Sequence, residues 1–207
     1  MGAALIEGRR RARRASGERR DAATVARMVR AAAAGDHGAW DGLVDEFGGL
    51  VWAVARAHRL SEADAVDVSQ ATWLRLVEHL GSLRDADRVG AWLATTARRE
   101  CLRVLRAAQR QVPTGDDFPE DPAGAAGVGD DLETEERNAA LWRAFRRLPA
   151  RDQVLLRLLV ADPQPSYEAI SAALDMPIGS IGPTRARSLE RLRRQLACDG
   201  FAGATAI

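Results

Sequence analysis

Apolar residues in this chain recur at three- and four-residue intervals, and no stretch sustains the two-residue alternation of a half-buried strand. Val25, Met28 and Val29 begin a short helix that Gly35-Asp36 ends. Trp40, Leu43, Val44, Phe47, Leu50, Val51, Val54 and Ala55 carry the pattern on to about Leu60. Gly48-Gly49 inside that run costs helix propensity and reads as a bend. Ser61 is placed to cap a third helix, with Glu62 and Asp64 near its electropositive start. Its expected core stripe is Val66, Trp73, Val77 and Leu80. Asp64, Asp67, Arg75 and Glu78 face outward, with Gln70 on the border. A polar loop from Gly81 to Arg88 follows. The spacing then predicts a helix over about Val89 to Arg110, its apolar side formed by Leu93, Ala97, Cys101, Val104, Leu105 and Ala108.

The periodicity stops over QVPTGDDFPEDPAGAAGVGDDLETEER and resumes near Thr134. So long a stretch without periodicity inside one compact domain is unusual, so it reads as a linker between two domains. Beyond it, Leu141, Trp142, Phe145 and Leu148 make one helix, and Val154, Leu155, Leu158 and Leu159 a second, started by Asp152 or a neighbour. Tyr167, Ile170 and Leu174 line a short third helix, interrupted at Asp175-Met176-Pro177 because proline disfavours helical geometry at the residue before it. A longer helix then starts around Ser180, a capping residue, with Pro183 inside its first turn, where no intrahelical donor is lost. Ile181, Leu189, Leu192 and Leu196 form its apolar stripe; Thr184, Arg187, Arg191 and Arg194 lie opposite. A short helix, a tight turn and an arginine-faced second helix form a helix-turn-helix suited to a DNA major groove, the alternative being a solvated surface helix.

The expected fold is therefore all-α: two small helical domains joined by a flexible acidic linker, the second containing the helix-turn-helix. The boundaries are 1–21, a disordered basic arm; 22–110, the first helical domain; 111–135, the linker; 136–197, the second domain; and 198–207, a frayed tail. No apolar run is long enough to span a membrane, and the N-terminus has no signal-peptide core, so a cytoplasmic protein is expected.

Charge sharpens the functional reading. The formal net charge is only +1 over 207 residues, but it is segregated. Residues 1–21 carry seven arginines against three acids, residues 111–137 nine acids against one arginine, and residues 138–196 ten arginines against five acids. Local patches, not the total, set the field that a polyanion meets. The basic arm reads as a phosphate-contacting tail or as a solvated start. Every basic residue is arginine, which reflects a GC-rich genome as readily as a function. On the helix from Val89, Trp92, Thr95, Thr96, Arg99, Arg103, Arg106 and Arg110 share one side at 100° per residue. Arginines on such a face neutralise phosphates, and Trp92 either stacks on an exposed base or belongs to the core.

Cys101 and Cys198 are far apart and without a CxxC, and His37, His58 and His79 lack zinc-site spacing, so no metal or other cofactor is expected. No Ser/His/Asp grouping or Gly-rich phosphate loop points to an enzyme or to a small-molecule substrate.

AVDVSQATWLRL, AWLATTARRE and LPARDQVLLRL, followed by MPIGSIGPTRARSLERLR, are individually weak motifs. In this order, across an acidic linker, they resemble a sigma-70 family RNA polymerase sigma factor of the extracytoplasmic-function (ECF) type, actinobacterial-like, over about Arg27 to Leu196. The resemblance implies a non-enzymatic protein with two partners, core RNA polymerase and promoter DNA; many such factors also have an anti-sigma partner. Asp64, Asp67 and Gln70 match the polymerase-binding segment. Arg84, Arg88, Trp92, Arg99, Arg103 and Arg106 match the −10 recognition segment. Ser180, Thr184, Arg187, Ser188 and Arg191 match the −35 helix-turn-helix contacts. Arg185 falls on the Ile181–Leu189 line and is expected to snorkel or to pair with an acid. Two departures stand out: Arg99 where the family usually has Asn, and Gly182-Pro183 where a Lys/Arg-Ser pair is common. A stand-alone helix-turn-helix regulator is the alternative, and it leaves the Trp92–Arg110 stripe unexplained.

Overall fold

The computed structural model describes residues 21–111 and 132–198, with side chains for 21–108 and 137–198. The basic arm before Asp21, most of the acidic linker, the side chain of Arg110 and the tail after Cys198 lie outside the described residues. All regular elements among the described residues are helical: α1 (Ala22–Ala33), α2 (His37–Ala57), α3 (Glu62–His79), α4 (Val89–Gln111), α5 (Leu132–Arg146), α6 (Ala150–Leu159), α7 (Tyr167–Leu174) and α8 (Ile181–Cys198). Single 3₁₀ turns occupy Leu80–Ser82, Ala86–Arg88 and Ile178–Ser180.

Side-chain caps set most of the helix starts. The carboxylate of Asp21 accepts from the Thr24 amide at 2.6 Å, which also holds its pKa below the usual range, and Asp36 accepts from the Ala39 amide at 3.0 Å. At α3 the Ser61 hydroxyl accepts from the Asp64 amide at 3.1 Å while donating to the Asp64 carboxylate at 2.7 Å. Such a cap contributes about 1 kcal/mol. Ser166 caps α7, and Asp175, at φ 52°, ends it in the left-handed region that Asp tolerates. Helix α6 starts at Ala150 after Pro149 without a side-chain cap, so Asp152 lies within its first turn. At α8 a 3₁₀ turn leads in through Ser180 to a helix that starts at Ile181.

One apolar core runs through both halves. Val25, Val29, Leu43, Val51, Val54, Leu76 and Leu93 join Leu155, Leu158, Ile170, Leu174 and Ile181 in it. Helix α7 packs on α4, and α6 touches α2. A smaller cluster of Ala55, Leu60, Ala65, Val68 and Cys101 seals α3 against its neighbours, and Phe145, Leu148 and Leu156 pack with Leu189 and Leu192. Each large side chain so buried is worth about 1.5–3 kcal/mol.

Helix α2 runs unbroken through Gly48-Gly49. The glycine that matters there is Gly49, where a Cβ would sit 2.9 Å from Cγ of Pro163. At the start of α4, a Cβ on Gly90 would meet the Phe47 ring at 2.8 Å, so glycine lets α4 lie close on α2.

Helix α3 presents a different face from the one expected. Its buried residues are Ala65, Val68, Thr72 and Leu76, whereas Val66 and Val77 are exposed and Leu74 is 60% exposed. Small Ala65 and Thr72 fit a close helix contact that bulkier Val66 and Val77 would hold apart, and the Thr72 hydroxyl is satisfied by the Val68 carbonyl at 2.7 Å. Trp73 takes an intermediate position, edge-on to Trp40 with ring centroids 5.9 Å apart.

Candidate nucleic-acid interface

Where α3 ends and α4 begins, the two 3₁₀ turns fold the Gly81–Arg88 loop over the first turns of α4. They enclose an open concavity of about 540 Å³, lined among others by His79, Arg84, Arg88, Trp92, Thr95 and Arg99. Arg84, Arg88 and Arg99 are exposed. Trp92 is half-buried: it packs on the core and also lines the concavity. The His79 ring stands 5.9 Å from Trp92, tilted by 42°, and its Nδ1 lies 2.9 Å from the Arg75 carbonyl. His79 has no partner at metal-ligand spacing in the sequence, and only the fold brings it to the tryptophan. Arg103 and Arg106 continue the face along α4, outside the concavity; Arg103 is paired with Glu100 at 2.7 Å. A tryptophan in the lining, with exposed arginines beside it, is a combination that can stack an unpaired base while neutralising its phosphates.

A second surface lies on α3. Val66, Gln70, Leu74 and Val77 fall within one helical arc, flanked by Asp67 and Glu78. Asp67 and Gln70 are exposed as expected, whereas the Asp64 carboxylate is engaged by Ser61 at the helix start. The apolar members of this strip, Val66, Leu74 and Val77, were not among the expected site residues. Their four- and three-residue spacing was legible, but it was indistinguishable from a core stripe.

The helix-turn-helix is α7, the turn through Pro177, and α8. Arg151 of α6 donates to the Leu174 and Asp175 carbonyls at 3.2 Å each, closing the end of α7, and the Gln153 amide ties α6 to the Arg146 and Leu148 carbonyls. Thr184 is half-buried and accepts from Arg187 at 3.1 Å; Ser180 is also half-buried. Arg187 is exposed. Ser188 is fully buried with its hydroxyl on the Thr184 carbonyl at 2.9 Å, which holds it off the outer surface. Arg191 reaches back to Asp152 at 2.6 Å. Arg185 is exposed, one turn from the helix start where no neighbour covers it.

Residues 43–111, which build the concavity and the α3 strip, match the sigma-70 region 2 family. Most of the first helical half is thus similar to sigma-70 region 2. No curated protein sequence matches this chain. Its fold is that of two solved structures. One is CnrH in complex with the cytosolic domain of CnrY, with a TM-score of 0.58 and 19% identity over 85% of this chain and 99% of that one. The other is the sigma factor RpoE in complex with the anti-sigma factor NepR from Bartonella quintana, with a TM-score of 0.54 and 22% identity over 77% and 98%. The residues matched to region 2 thus carry both the concavity and the exposed apolar strip, while the helix-turn-helix half lies beyond them. Among the described residues no cluster of His, Cys, Asp or Glu is arranged to hold a metal, and no helix is long and apolar enough to cross a membrane.

Proposed function

We propose that the protein is an ECF-type sigma factor. It binds core RNA polymerase through the Val66–Val77 strip of α3 with Asp67 and Gln70, reads the −10 element at the Trp92 concavity, and reads the −35 element with α8. It performs no bond chemistry of its own and acts in the cytoplasm, where polymerase and promoter are found. The observation that carries this reading is the concavity itself, a half-buried tryptophan ringed by three exposed arginines inside region 2. A stand-alone helix-turn-helix regulator has no use for that concavity.

Co-elution of the purified chain with core polymerase, together with run-off transcription on a genomic library, tests the proposal and reads the promoter. The chain should be retained on core enzyme and start transcripts at discrete sites; no retention in a competent assay overturns it. Leu74→Asp should weaken core binding about tenfold or more. A buried interfacial leucine contributes about 1.5–3 kcal/mol, and the substitution additionally buries a charge. Because Leu74 is exposed in the free chain, the variant should keep its circular dichroism and melting temperature.

A further inference from the structure

His79 ends α3 and lines the same concavity as Trp92. Its ring centroid is 5.9 Å from that of the indole, tilted by 42°. A base held between two rings needs about 7 Å, twice a van der Waals separation. The imidazole therefore does not form a second plate opposite Trp92, and it is left to act as a hydrogen-bonding group at its side.

The bonds within the lining fix what that group offers. A carbonyl only accepts, so His79 Nδ1, 2.9 Å from the Arg75 carbonyl, carries the proton. In a neutral imidazole the other nitrogen, Nε2, then holds a lone pair and accepts. The Ser82 hydroxyl donates its proton to the His79 carbonyl at 2.9 Å, and the Thr95 hydroxyl donates to the Ala91 carbonyl at 3.0 Å. Both oxygens keep only lone pairs for a ligand. Bonds to nearby backbone thus turn three of the four uncharged polar side chains of the lining into acceptors, Thr96 being the fourth. The Asp85 carboxylate adds another acceptor, and the strong donors are Arg84, Arg88 and Arg99. Beside a nucleic acid those cations go first to phosphate oxygens, where the bonds are charge-assisted. What remains for the base is a wall of acceptors.

We infer that the concavity selects a base with an exocyclic amino group over thymine or uracil, and that His79 Nε2 is the atom that reads it. The inference rests on the reading of the concavity as a base-binding site, and is independent of the polymerase contact and of α8. Adenine N6, cytosine N4 and guanine N2 each present amino N–H donors. Thymine and uracil carry one N–H between two carbonyl oxygens, so a carbonyl meets an acceptor however the base is turned. Polar groups left unpaired in this way are a strong basis for rejection.

The test is fluorescence anisotropy with the full chain at about pH 8 and end-labelled single strands of about ten nucleotides. Deoxycytidine and deoxyuridine strands carry the same phosphates and differ in an amino against an oxo group, so the salt-dependent part of binding cancels in their ratio. The wild-type chain should bind the deoxycytidine strand about fivefold more tightly, the size of one net hydrogen bond. A deoxyadenosine strand should be preferred over a deoxyinosine strand in the same sense. His79→Phe, which keeps a ring against Trp92, should hold deoxyuridine binding and bring the ratio to within about twofold. His79→Gln, which returns an acceptor, should restore the preference. Arg99→Ala should weaken both strands alike. Circular dichroism checks each fold, and His79→Ala gives the same reading should the phenylalanine variant lose helix content. A wild-type ratio near one, a ratio unchanged by removing the imidazole from a folded chain, or a preference lost with Arg99→Ala alone overturns the inference. No binding of any strand by the folded chain overturns it together with the base-binding reading. A chain that keeps the preference but fails to bind core polymerase leaves the inference standing and counts against the sigma-factor reading.

Discussion

Arg191 is where DNA contact and structural support are most easily confused, and its replacement separates them. The Asp152 side chain is 8% exposed and its carboxylate accepts from Arg191 at 2.6 Å across 39 residues of chain; the Arg191 side chain is 45% exposed. Arg191→Ala leaves a buried carboxylate without its cation. Breaking a fully buried pair from one side costs about 3–5 kcal/mol. Here the guanidinium is nearly half in water, and its removal opens a path for water to the carboxylate, so about 1–3 kcal/mol is expected. Arg187→Ala, at an exposed position whose contact is to Thr184, should stay within about 0.5 kcal/mol of wild type. Urea unfolding followed by far-UV circular dichroism measures both. Asp152→Asn in the Arg191→Ala background should recover about 1 kcal/mol or more, because the stranded charge is gone. A loss below 0.5 kcal/mol for Arg191→Ala, or no coupling between the two positions, would refute the pairing as a structural element. Arg191 would then be free to act as a groove contact.

Two further predictions concern groups that the fold has buried. His58, at the end of α2, has its pKa lowered from 6.5 to about 4, first by burial and then by the Arg98 guanidinium; its Nε2 has no hydrogen-bond partner among the described residues. The unfolded chain therefore takes up a proton at a higher pH than the folded one. Stability should be complete above pH 6.5 and fall by up to about 3 kcal/mol as pH drops to 4. His58→Leu should flatten that part of the urea-midpoint profile, and an unchanged slope in the folded variant would contradict the burial. Burial pushes the Cys101 thiol up to about 12, while Cys198 is exposed. A thiol reagent at pH 8 should titrate one cysteine rapidly in the native protein and the second only on unfolding, and two fast thiols would contradict the packing around α4.

Much of the fold is written locally. The caps at Ser61 and Ser166, the stop at Asp175 and the periodicity of α2 and α4 act over three or four residues, so the helices and the helix-turn-helix are legible from spacing alone. The arginine face of α4 is legible for the same reason, since helical geometry fixes which residues share a side. The phase of α3 is not. That helix has apolar residues on two faces, and periodicity treats Val66 and Val77 as better core candidates than Ala65 and Thr72. The close approach of its neighbours decides for the small residues and leaves the large ones facing outward. The inward turn of Ser188 is likewise settled by what α8 packs against. Three further features depend on residues far apart in the chain: the loop arginines brought to Trp92, the Arg191–Asp152 pair, and the meeting of Gly49 with Pro163. By itself the sequence determined the helices and the charge each carries. Only the tertiary structure decided which faces turn inward and which distant residues meet, because packing at close range is a property of pairs of surfaces and no single segment contains it.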